Sequence, residues 1–377
     1  MPRKHVAIVA GETSGDQHVA RVIEELKIHH DIAFSGIGGP KMKAAGVDLI
    51  FDLAKYSVTG ITEVITHFTM IRQAFHKIKK HLMDKKPDLL ILVDYPGFNL
   101  RLAKFAKKLN IKILYYISPQ IWAWKKGRIK LIKEVVDMMA VILPFEKEIY
   151  QNAGVPVKFV GNPLTISTQP SMTKSQALHH FKLDPNKKTI ALLPGSRLNE
   201  IKRLLPTMKQ AVDELLTSHH DIQFTLPLAP SLDKRIIDEI LGDTKQKISL
   251  INGQALDVMN CSDIVIVASG TASLECALLE KPMAIAYKAS TLTYILASQL
   301  IKVKYLGLCN LLANSMIVPE LLQSDYTKET LLNTIQDLLT NKAMVEAMHK
   351  NLNSVSQSLS KQSIDCSLAD LVIEQLA

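Results

Sequence analysis

Several features that would assign a function at once are missing from this chain of 377 residues. Its four cysteines show no Cys-x-x-Cys spacing, its twelve histidines form no His-Glu-x-x-His motif, and no Asp-x-Asp occurs. These absences argue against a disulfide framework and against a dedicated metal site. We therefore expect no metal and no cofactor, and we expect the cysteines to be buried thiols in a reducing cytoplasm.

Long apolar runs are missing as well. No stretch of 18 apolar residues occurs, which argues against a membrane-spanning helix. The apolar run 6–10, which follows a basic amino terminus, is too short for the apolar region of a signal peptide. The sequence therefore predicts a cytoplasmic protein.

Length and periodicity predict two α/β domains. The chain exceeds what one hydrophobic core usually organises, and 47% of its residues are hydrophobic. Short apolar runs alternate with segments of helical periodicity, which predicts parallel, doubly wound sheets. The predicted strands are 5–10, 32–37, 88–94, 111–117, 138–143 and 157–160 in a first series, and 188–193, 222–226, 248–251, 263–267 and 283–286 in a second.

A polar stretch predicts the boundary between these domains. Residues 164–188 are typical of a linker, so the first domain would comprise residues 1–185 and the second residues 186–354. A helix within 355–377 is predicted to return to the first domain. Two such Rossmann-like halves would face a central cleft at the carboxyl ends of their sheets, where ligands bind in this fold class.

Positive charge is concentrated in the first half. The chain carries a formal net charge of +9, and residues 101–133 contain ten Lys or Arg and no Asp or Glu. Such a surface attracts polyanions, so both nucleic acid and anionic lipid are candidate partners. Residues 56–71 add an apolar helical stripe followed by lysines, which favours a helix on a membrane surface. The alternative is an amphipathic helix that covers its own sheet.

Two small-residue turns in the second half each follow a predicted strand and precede a helical segment. They are Pro-Gly-Ser-Arg at 194–197 and Ser-Gly-Thr-Ala-Ser-Leu-Glu at 269–275. Ordinary helix N-caps have a similar composition. However, glycine lets the backbone approach an anion, and a helix start offers N–H groups and a positive dipole end. The pair favours the diphosphate of a nucleotide sugar, with Arg197 on phosphate oxygens and Glu275 on sugar hydroxyls.

Six motifs together resemble the lipid-A-disaccharide synthase family, and the resemblance covers nearly the whole chain. The third of them contains both tryptophans of the chain and is highly specific. The motifs are Gly-Glu-Thr-Ser-Gly-Asp at 11–16, Val-Asp-Tyr-Pro-Gly-Phe-Asn at 93–99, Ser-Pro-Gln-Ile-Trp-Ala-Trp at 118–124, Leu-Pro-Phe-Glu at 143–146, Pro-Gly-Ser-Arg at 194–197 with Glu-Ile at 200–201, and Ser-Gly-Thr-Ala at 269–272.

The resemblance implies an inverting glycosyltransferase of the GT-B type. Members of this family transfer 2,3-diacylglucosamine from UDP-2,3-diacylglucosamine to 2,3-diacylglucosamine 1-phosphate, which gives a β-1,6-linked disaccharide 1-phosphate and UDP. The resemblance further implies work at the cytoplasmic face of the inner membrane, with peripheral contact to its anionic surface. A homodimer is possible, and no nucleic acid is expected.

Two residues are predicted to be catalytic. Asp94 ends a strand and can act as the general base that the acceptor hydroxyl needs, and its position in the second motif agrees. Asp16 is the second candidate, and Asp94 could alternatively cap the following helix. Arg197 would neutralise the charge of the leaving UDP.

The remaining predicted site residues divide between the two substrates. The nucleotide sugar is assigned to the two turns, and by resemblance to Asn310 and Glu320. The acceptor is assigned by resemblance to the first domain, although Trp122 could be an ordinary core aromatic. The nucleotide-sugar set is Gly195, Ser196, Arg197, Ser269, Gly270, Thr271, Ala272, Glu275, Asn310 and Glu320, and the acceptor set is Ser14, Gly15, Asp16, Gln120 and Trp122.

Other functions fit less well. A UDP-N-acetylglucosamine epimerase or a peptidoglycan glycosyltransferase would share the fold and the nucleotide turns, but soluble sugars would not need the apolar and basic surface. An NAD-dependent oxidoreductase would carry Gly-x-Gly-x-x-Gly after the first strand, whereas the turn at 11–16 lacks the middle glycine. No recognition motif for nucleic acid accompanies the basic surface.

Overall fold

The computed structural model describes residues 3–53, 68–122, 127–230, 232–290, 304–360 and 364–377. Contacts between Cα atoms divide the chain into two compact units, Met1–Pro163 with Lys361–Ala377, and Leu164–Ser360. Most of the predicted membrane-surface segment 56–71 lies outside the described residues, and so does Trp124. The predicted domain boundary at 185/186 falls within the second unit.

The first unit alternates strands and helices. Its elements are β1 (Lys4–Ala10), α1 (Thr13–His29), β2 (Ile32–Gly38), α2 (Pro40–Ala44), β3 (Asp48–Asp52), α3 (Phe68–Lys85), β4 (Leu89–Val93), α4 (Pro96–Lys108), β5 (Lys112–Tyr116), α5 (Arg128–Val135), β6 (Met138–Val141), α6 (Pro144–Asn152) and β7 (Val157–Phe159). The strands pair in parallel in the order β3-β2-β1-β4-β5-β6-β7.

Both faces of this first sheet are covered, which explains its continuous apolar strands. Along β1, Val6, Ile8 and Ala10 pack into one core cluster, and Ala7 and Val9 pack into the other. This alternation follows from the two-residue period of a strand. The central strands therefore provide a rigid support for the loop residues that follow their carboxyl ends.

The second unit repeats the architecture. Its elements are α7 (Leu164–Ser167), α8 (Lys174–His180), β8 (Lys188–Leu193), α9 (Leu198–Ser218), β9 (Ile222–Leu228), α10 (Lys234–Leu241), β10 (Ile248–Asn252), α11 (Ala255–Cys261), β11 (Ile264–Ala268), α12 (Thr271–Leu278), β12 (Met283–Tyr287), α13 (Leu308–Ala313), β13 (Glu320–Leu322), α14 (Lys328–Thr340) and α15 (Lys342–Leu359). The parallel strand order is β10-β9-β8-β11-β12-β13.

The carboxyl-terminal helix α16 (Leu368–Leu376) groups with the first unit. Its residues Leu371 and Val372 are fully buried in the cluster that contains Val6 and Ile8. The Lys112 Nζ of β5 donates a hydrogen bond of 2.8 Å to the Gln375 carbonyl oxygen. The chain thus returns to cover the sheet with which it began.

The stretch predicted as a linker is instead a built part of the second unit. Asp257 on α11 accepts hydrogen bonds from the Ser171 hydroxyl at 2.8 Å and from the Met172 N–H at 2.9 Å. The Asn260 side chain donates to the Met172 carbonyl oxygen at 2.9 Å. The polar composition of the predicted linker therefore reflects capping and surface contacts. The second compact unit begins at Leu164 rather than after residue 185.

Two strands were not predicted from the sequence. β3 is an edge strand without a buried residue, and β13 comprises three residues. Neither carries the apolar run that marks a central strand, because an edge or a very short strand buries little.

The helix α3, which continues the predicted membrane segment beyond residue 71, covers its own sheet. Ala74, Ile78 and Leu82 of α3 are fully buried in the first core, and Ile71 and Phe75 pack against it. For these residues the alternative interpretation, an amphipathic helix on its own sheet, is the one that the structure supports. Within the described residues, no helix combines the length and the apolar character that crossing a membrane requires.

Candidate active site

The first group of predicted site residues lies where the strand order of the first sheet reverses. β1 and β4 are neighbours, with Ala10 paired to Val93, and their helices follow in opposite directions along the sheet. Ligands bind at such switch points in open parallel sheets. The turn 11–16 follows β1 and Asp94 follows β4, so the sheet brings these two motifs together.

Asp94 stands at a strained turn. Asp94 and Tyr95 have φ angles of 46° and 44°, which is a left-handed conformation that residues other than glycine rarely adopt. Such strain costs about 1–3 kcal/mol per residue and collects at functional sites. It re-aims the chain between β4 and α4, which begins at Pro96.

A set of hydrogen bonds holds this turn in place. The Asp94 N–H donates to the Tyr116 carbonyl oxygen at 3.0 Å. The Asp94 carbonyl oxygen accepts from the Asn99 side chain at 2.8 Å and from the Tyr115 hydroxyl at 2.5 Å. The Asp94 carboxyl group is therefore presented by a backbone that the neighbouring strand fixes from two sides.

The environment of the Asp94 carboxyl group suits a general base. Burial, followed by the nearby negative charge of Glu12, raises its pKa to about 6. A carboxylate with a pKa near the working pH combines adequate basicity with ionisation in most molecules.

Two glycines allow α1 to start against this turn. A Cβ atom on Gly11 would lie 2.6 Å from the Tyr95 Cδ1, and one on Gly15 would lie 3.1 Å from the Val93 Cγ1. Gly15, predicted to contact the acceptor, is buried and serves this close packing. Ser14 beside it is exposed in the first turn of α1.

Asp16 has a structural position, which corrects its prediction as an alternative base. Its carboxylate is fully buried, and it accepts hydrogen bonds from the Gly39 N–H at 2.7 Å, the Lys41 N–H at 3.0 Å and the Met42 N–H at 3.0 Å. It therefore satisfies the amino terminus of α2. A carboxylate engaged in this way is not presented to a substrate.

The segment 118–122 follows β5 at the same edge of the sheet. Gln120 is exposed there, whereas Trp122 is half-buried with its indole edge-to-face on Phe145, at a centroid distance of 5.2 Å. The indole Nε1–H donates a hydrogen bond of 3.0 Å to the Oε1 of Glu146. No role was predicted for Glu146 from its motif, although a glutamate at the third position of a helix that begins with proline is a recognisable signal.

The two predicted phosphate turns meet at the switch point of the second sheet. β8 and β11 are neighbours, with Leu193 paired to Val267, and each turn follows one of them. Both turns line a cavity of about 520 Å³. The predicted residues among its lining are Gly195, Ser196, Arg197, Ser269, Gly270, Thr271, Ala272 and Glu275.

The turn after β8, which we call the closed turn (residues 194–197), is occupied by the protein itself. The Glu200 Oε2 accepts from the Ser196 N–H at 3.2 Å and from the Arg197 N–H at 3.3 Å. The Arg197 guanidinium pairs with the Glu200 Oε1 at 3.0 Å. The backbone donors predicted for phosphate at Ser196 thus already bind a carboxylate at the start of α9.

We call the turn after β11 the open turn (residues 269–272), and among the described residues no carboxylate binds its backbone N–H groups. Gly270 has φ 151° and ψ −157°, a conformation available essentially to glycine alone. The first turn of α12 contains no acidic residue, and the Ser273 side chain donates back to the Gly270 carbonyl oxygen at 2.7 Å. The start of α12 therefore presents its positive dipole end to the cavity.

Glu275 contributes a carboxylate to the cavity from the second turn of α12. It is half-buried, and burial raises the pKa of its carboxyl group. The opposite wall was not predicted from the sequence, and it comes from the end of β9 and from the residues that follow β9 and β10. These residues are Pro227, Leu228, Ala229, Pro230, Gly253, Gln254 and Ala255. Apart from Gln254 these residues are small or apolar, so no charged group or known motif marked them.

Asn310 and Glu320 do not line this cavity. The Asn310 side chain donates to the Glu320 Oε1 at 2.8 Å and to the Val318 carbonyl oxygen at 2.9 Å. The Glu320 carboxylate also accepts the N–H groups of Leu306 and Gly307, both at 2.9 Å. These polar atoms bind the protein itself and fix the start of α13.

The comparison with known families decides between the remaining interpretations. The model of the lipid-A-disaccharide synthetase family matches residues 6–375. The chain belongs to this family. The family predicted from the motifs is thereby confirmed, and with it the prediction of a glycosyltransferase.

Curated members of the family resemble the chain over nearly its full length. Lipid-A-disaccharide synthase 1 of Legionella pneumophila (strain Lens) is 52% identical over 98% of this chain and 97% of its own. The lipid-A-disaccharide synthase of Nitrosococcus oceani is 45% identical over 94% of this chain and 92% of its own. The family assignment therefore covers both units.

Solved structures confirm the fold class of two α/β domains with parallel sheets. The UDP-GlcNAc 2-epimerase of Neisseria meningitidis has a TM-score of 0.64 and 16% identity, with 99% of each chain covered. A glycosyltransferase of kitacinnamycin also has a TM-score of 0.64, at 14% identity and with 100% of both chains covered. At such identities the likeness concerns the fold alone, so it does not favour an epimerase.

Proposed function

We propose that the chain transfers 2,3-diacylglucosamine from UDP-2,3-diacylglucosamine to the 6-hydroxyl of 2,3-diacylglucosamine 1-phosphate. The products are a β-1,6-linked disaccharide 1-phosphate and UDP. The observation that carries this proposal is the match of the family model to residues 6–375, which includes every motif that forms the two switch points.

Asp94 is the general base in this proposal. Its carboxylate takes the proton of the acceptor 6-hydroxyl while that oxygen forms a bond to the anomeric carbon of the donor sugar. The bond between that carbon and the UDP oxygen breaks on the opposite face, so the configuration inverts. The raised pKa of Asp94 and its strained, rigidly held turn support this role.

The open turn and Arg197 receive the charge of the leaving UDP. The start of α12 lines the cavity with backbone N–H groups and no acidic side chain. The guanidinium of Arg197 has five N–H donors, and its side chain is 59% exposed although one donor binds Glu200. Interactions that strengthen as charge develops on the diphosphate accelerate its departure.

Glu275 binds the ribose of UDP in this arrangement. Its half-buried carboxylate lines the same cavity as the open turn, one helical turn away from Gly270. Carboxylates accept hydrogen bonds from sugar hydroxyls. Burial raises the pKa of Glu275 because it disfavours the charged carboxylate, and hydrogen bonds from ribose hydroxyls would offset that cost.

The acceptor is assigned to the first unit. We infer that exposed Ser14 and Gln120 bind its polar groups and that Trp122 contacts its apolar part. The exposed lysines of α3, α4 and α5 are suited to the anionic cytoplasmic face of the inner membrane, where acylated sugars reside. A homodimer remains a prediction.

The test is UDP release by the purified protein in mild detergent, with the lipid product identified by mass. UDP-2,3-diacylglucosamine is supplied with and without 2,3-diacylglucosamine 1-phosphate, and UDP-N-acetylglucosamine serves as a donor without acyl chains. We expect UDP release only with the acylated donor and the acceptor together, and a disaccharide 1-phosphate as product. Conversion of UDP-N-acetylglucosamine without any acceptor would instead support an epimerase.

A further inference from the structure

Glu146 is a buried carboxylate that the proposed chemistry does not use. It is the third residue of α6 and is 2% exposed. Burial raises the pKa of its carboxyl group to about 7. Burying an ionisable group is costly, so a sequence that does so requires compensating hydrogen bonds.

The compensating donors come mainly from another element. The Ser118 hydroxyl donates to the Glu146 Oε1 at 2.7 Å, and the Trp122 indole N–H donates to the same oxygen at 3.0 Å. The Leu143 N–H donates to the Oε2 at 3.3 Å. Glu146 thus ties both ends of the segment 118–122 to the start of α6.

Two further contacts of α6 act on the same segment. The Tyr150 hydroxyl donates to the Pro119 carbonyl oxygen at 3.3 Å. The Trp122 ring packs edge-to-face on Phe145 at an interplanar angle of 86°. The segment 118–122 is therefore held by α6 along its length, and Glu146 is the only residue of α6 that binds it at two points among these contacts.

The held segment belongs to the edge that carries Asp94. It continues β5, and the end of β5 fixes the Asp94 turn through the Tyr115 hydroxyl and the Tyr116 carbonyl oxygen. A displacement of 118–122 would therefore act on the edge of the first sheet that carries the proposed base.

We propose that Glu146 is a positioning residue that holds Trp122 in the wall of the acceptor site. The inference rests on the proposed function for the identity of the acceptor. It does not rest on turnover, because it concerns binding of the acylated sugar phosphate and the placement of Trp122.

The experiment uses the two tryptophans of the chain. In a Trp124→Phe background, Trp122 is the sole tryptophan, and its fluorescence reports on its own surroundings. Glu146→Ala and Glu146→Gln are compared with Glu148→Ala, which removes an exposed glutamate of the same helix. For each protein, acrylamide quenching of Trp122 is measured, and 2,3-diacylglucosamine 1-phosphate is titrated in mild detergent. UDP affinity is measured as a control for the second unit.

We expect Glu146→Ala to make Trp122 more accessible to acrylamide and to weaken acceptor binding by about tenfold, because the two hydrogen bonds from Ser118 and Trp122 are lost. UDP affinity should stay unchanged. Glu146→Gln should recover most of the acceptor affinity, because its carbonyl oxygen can accept the same two bonds. Glu148→Ala should match the unmodified background.

Unchanged quenching, or unchanged acceptor affinity, in a folded Glu146→Ala protein would overturn the proposal. If that variant does not fold, Ser118→Ala removes one donor and should weaken acceptor binding by about threefold. Unchanged acceptor affinity in Ser118→Ala would equally overturn it. Absence of UDP release from a wild-type protein that still binds the acceptor through Trp122 would reject the proposed function and leave the role of Glu146 standing.

Discussion

The closed turn and the open turn of the second unit begin alike and end differently. Each follows a buried central strand, contains a glycine with positive φ and starts a helix. At the third helical position the closed turn has Glu200 and the open turn has Ser273. Glu200 reaches back to the backbone N–H groups, whereas the Ser273 hydroxyl donates to a carbonyl oxygen and leaves such groups to the cavity.

One residue therefore decides what a helix start can do. A glutamate at the third position completes a capping box and satisfies the donors internally. A residue with no charge there leaves the dipole end to an external anion. In our proposal the closed turn places Arg197, the open turn binds the diphosphate, and Asp94 of the first unit is the general base.

Asp94→Asn gives the largest expected effect and tests this separation of roles. We expect turnover to fall by a factor of about 10² to 10⁴, because the acceptor hydroxyl loses its base. UDP affinity should not change, because Asp94 belongs to the first unit. Turnover is measured by acceptor-dependent UDP release, and affinity is measured by calorimetry.

The thermal stability of the same variant is its control. Because burial raises the pKa of Asp94 in the folded state, its stabilising contribution is present at low pH and is lost as the pH rises through about 6. At pH 8 the asparagine variant should therefore melt no earlier than the wild type. Retained turnover at native stability would remove Asp94 from the role of base.

The pH dependence of catalysis should show the same group. Below a pH of about 6, the value to which burial and Glu12 raise the pKa of Asp94, kcat/KM should fall by about tenfold for each pH unit. The measurement varies the acceptor at saturating donor. A rate that stays constant down to pH 4.5 would show that no group with such a pKa acts as the base.

The stability of Gly195→Ala tests whether Glu200 closes the turn after β8. Gly195 has φ 109°, and a Cβ atom there would lie 2.2 Å from the Glu200 Oε2. We expect a loss of about 2 kcal/mol in the free energy of unfolding, from backbone strain and this clash. The measurement is denaturant unfolding of the variant and the wild type.

Two further variants separate these causes. Gly242→Ala is the matched control, since Gly242 also has a positive φ but no atom within 4 Å of its added Cβ. Adding Glu200→Ala to Gly195→Ala should recover the part of the lost unfolding free energy that the clash causes. Equal losses in Gly195→Ala and Gly242→Ala would mean that Glu200 does not close the turn.

The sequence predicted the central strands and eight of the residues that line the cavity of the second unit. The apolar runs that became β1, β4, β8 and β11 are continuous because both sheet faces are buried. Residues that follow parallel strands lie at one edge of the sheet. The position of each motif directly after a predicted strand was therefore enough to place the motifs together.

The sequence could not show which polar groups the protein uses for itself. Asp16, Asn310 and Glu320 carry the side chains that a ligand site needs, yet each binds backbone groups or side chains of its own unit. The same holds for the Ser196 N–H, which Glu200 occupies. Only the three-dimensional course of the chain determines whether a donor meets a neighbour or a cavity.

The contrast between the turns is tested most directly by calorimetric titration of UDP into Ala272→Glu and Ala272→Gln. Both side chains have the same shape and extend from the start of α12 in the open turn, but only one is charged. We expect Ala272→Glu to bind UDP about 100-fold more weakly than Ala272→Gln, because its charge repels the diphosphate at close range. Its thermal stability should be equal or higher, since an acidic residue suits a helix start. Equal UDP affinities of the two variants would contradict binding of the diphosphate at the open turn.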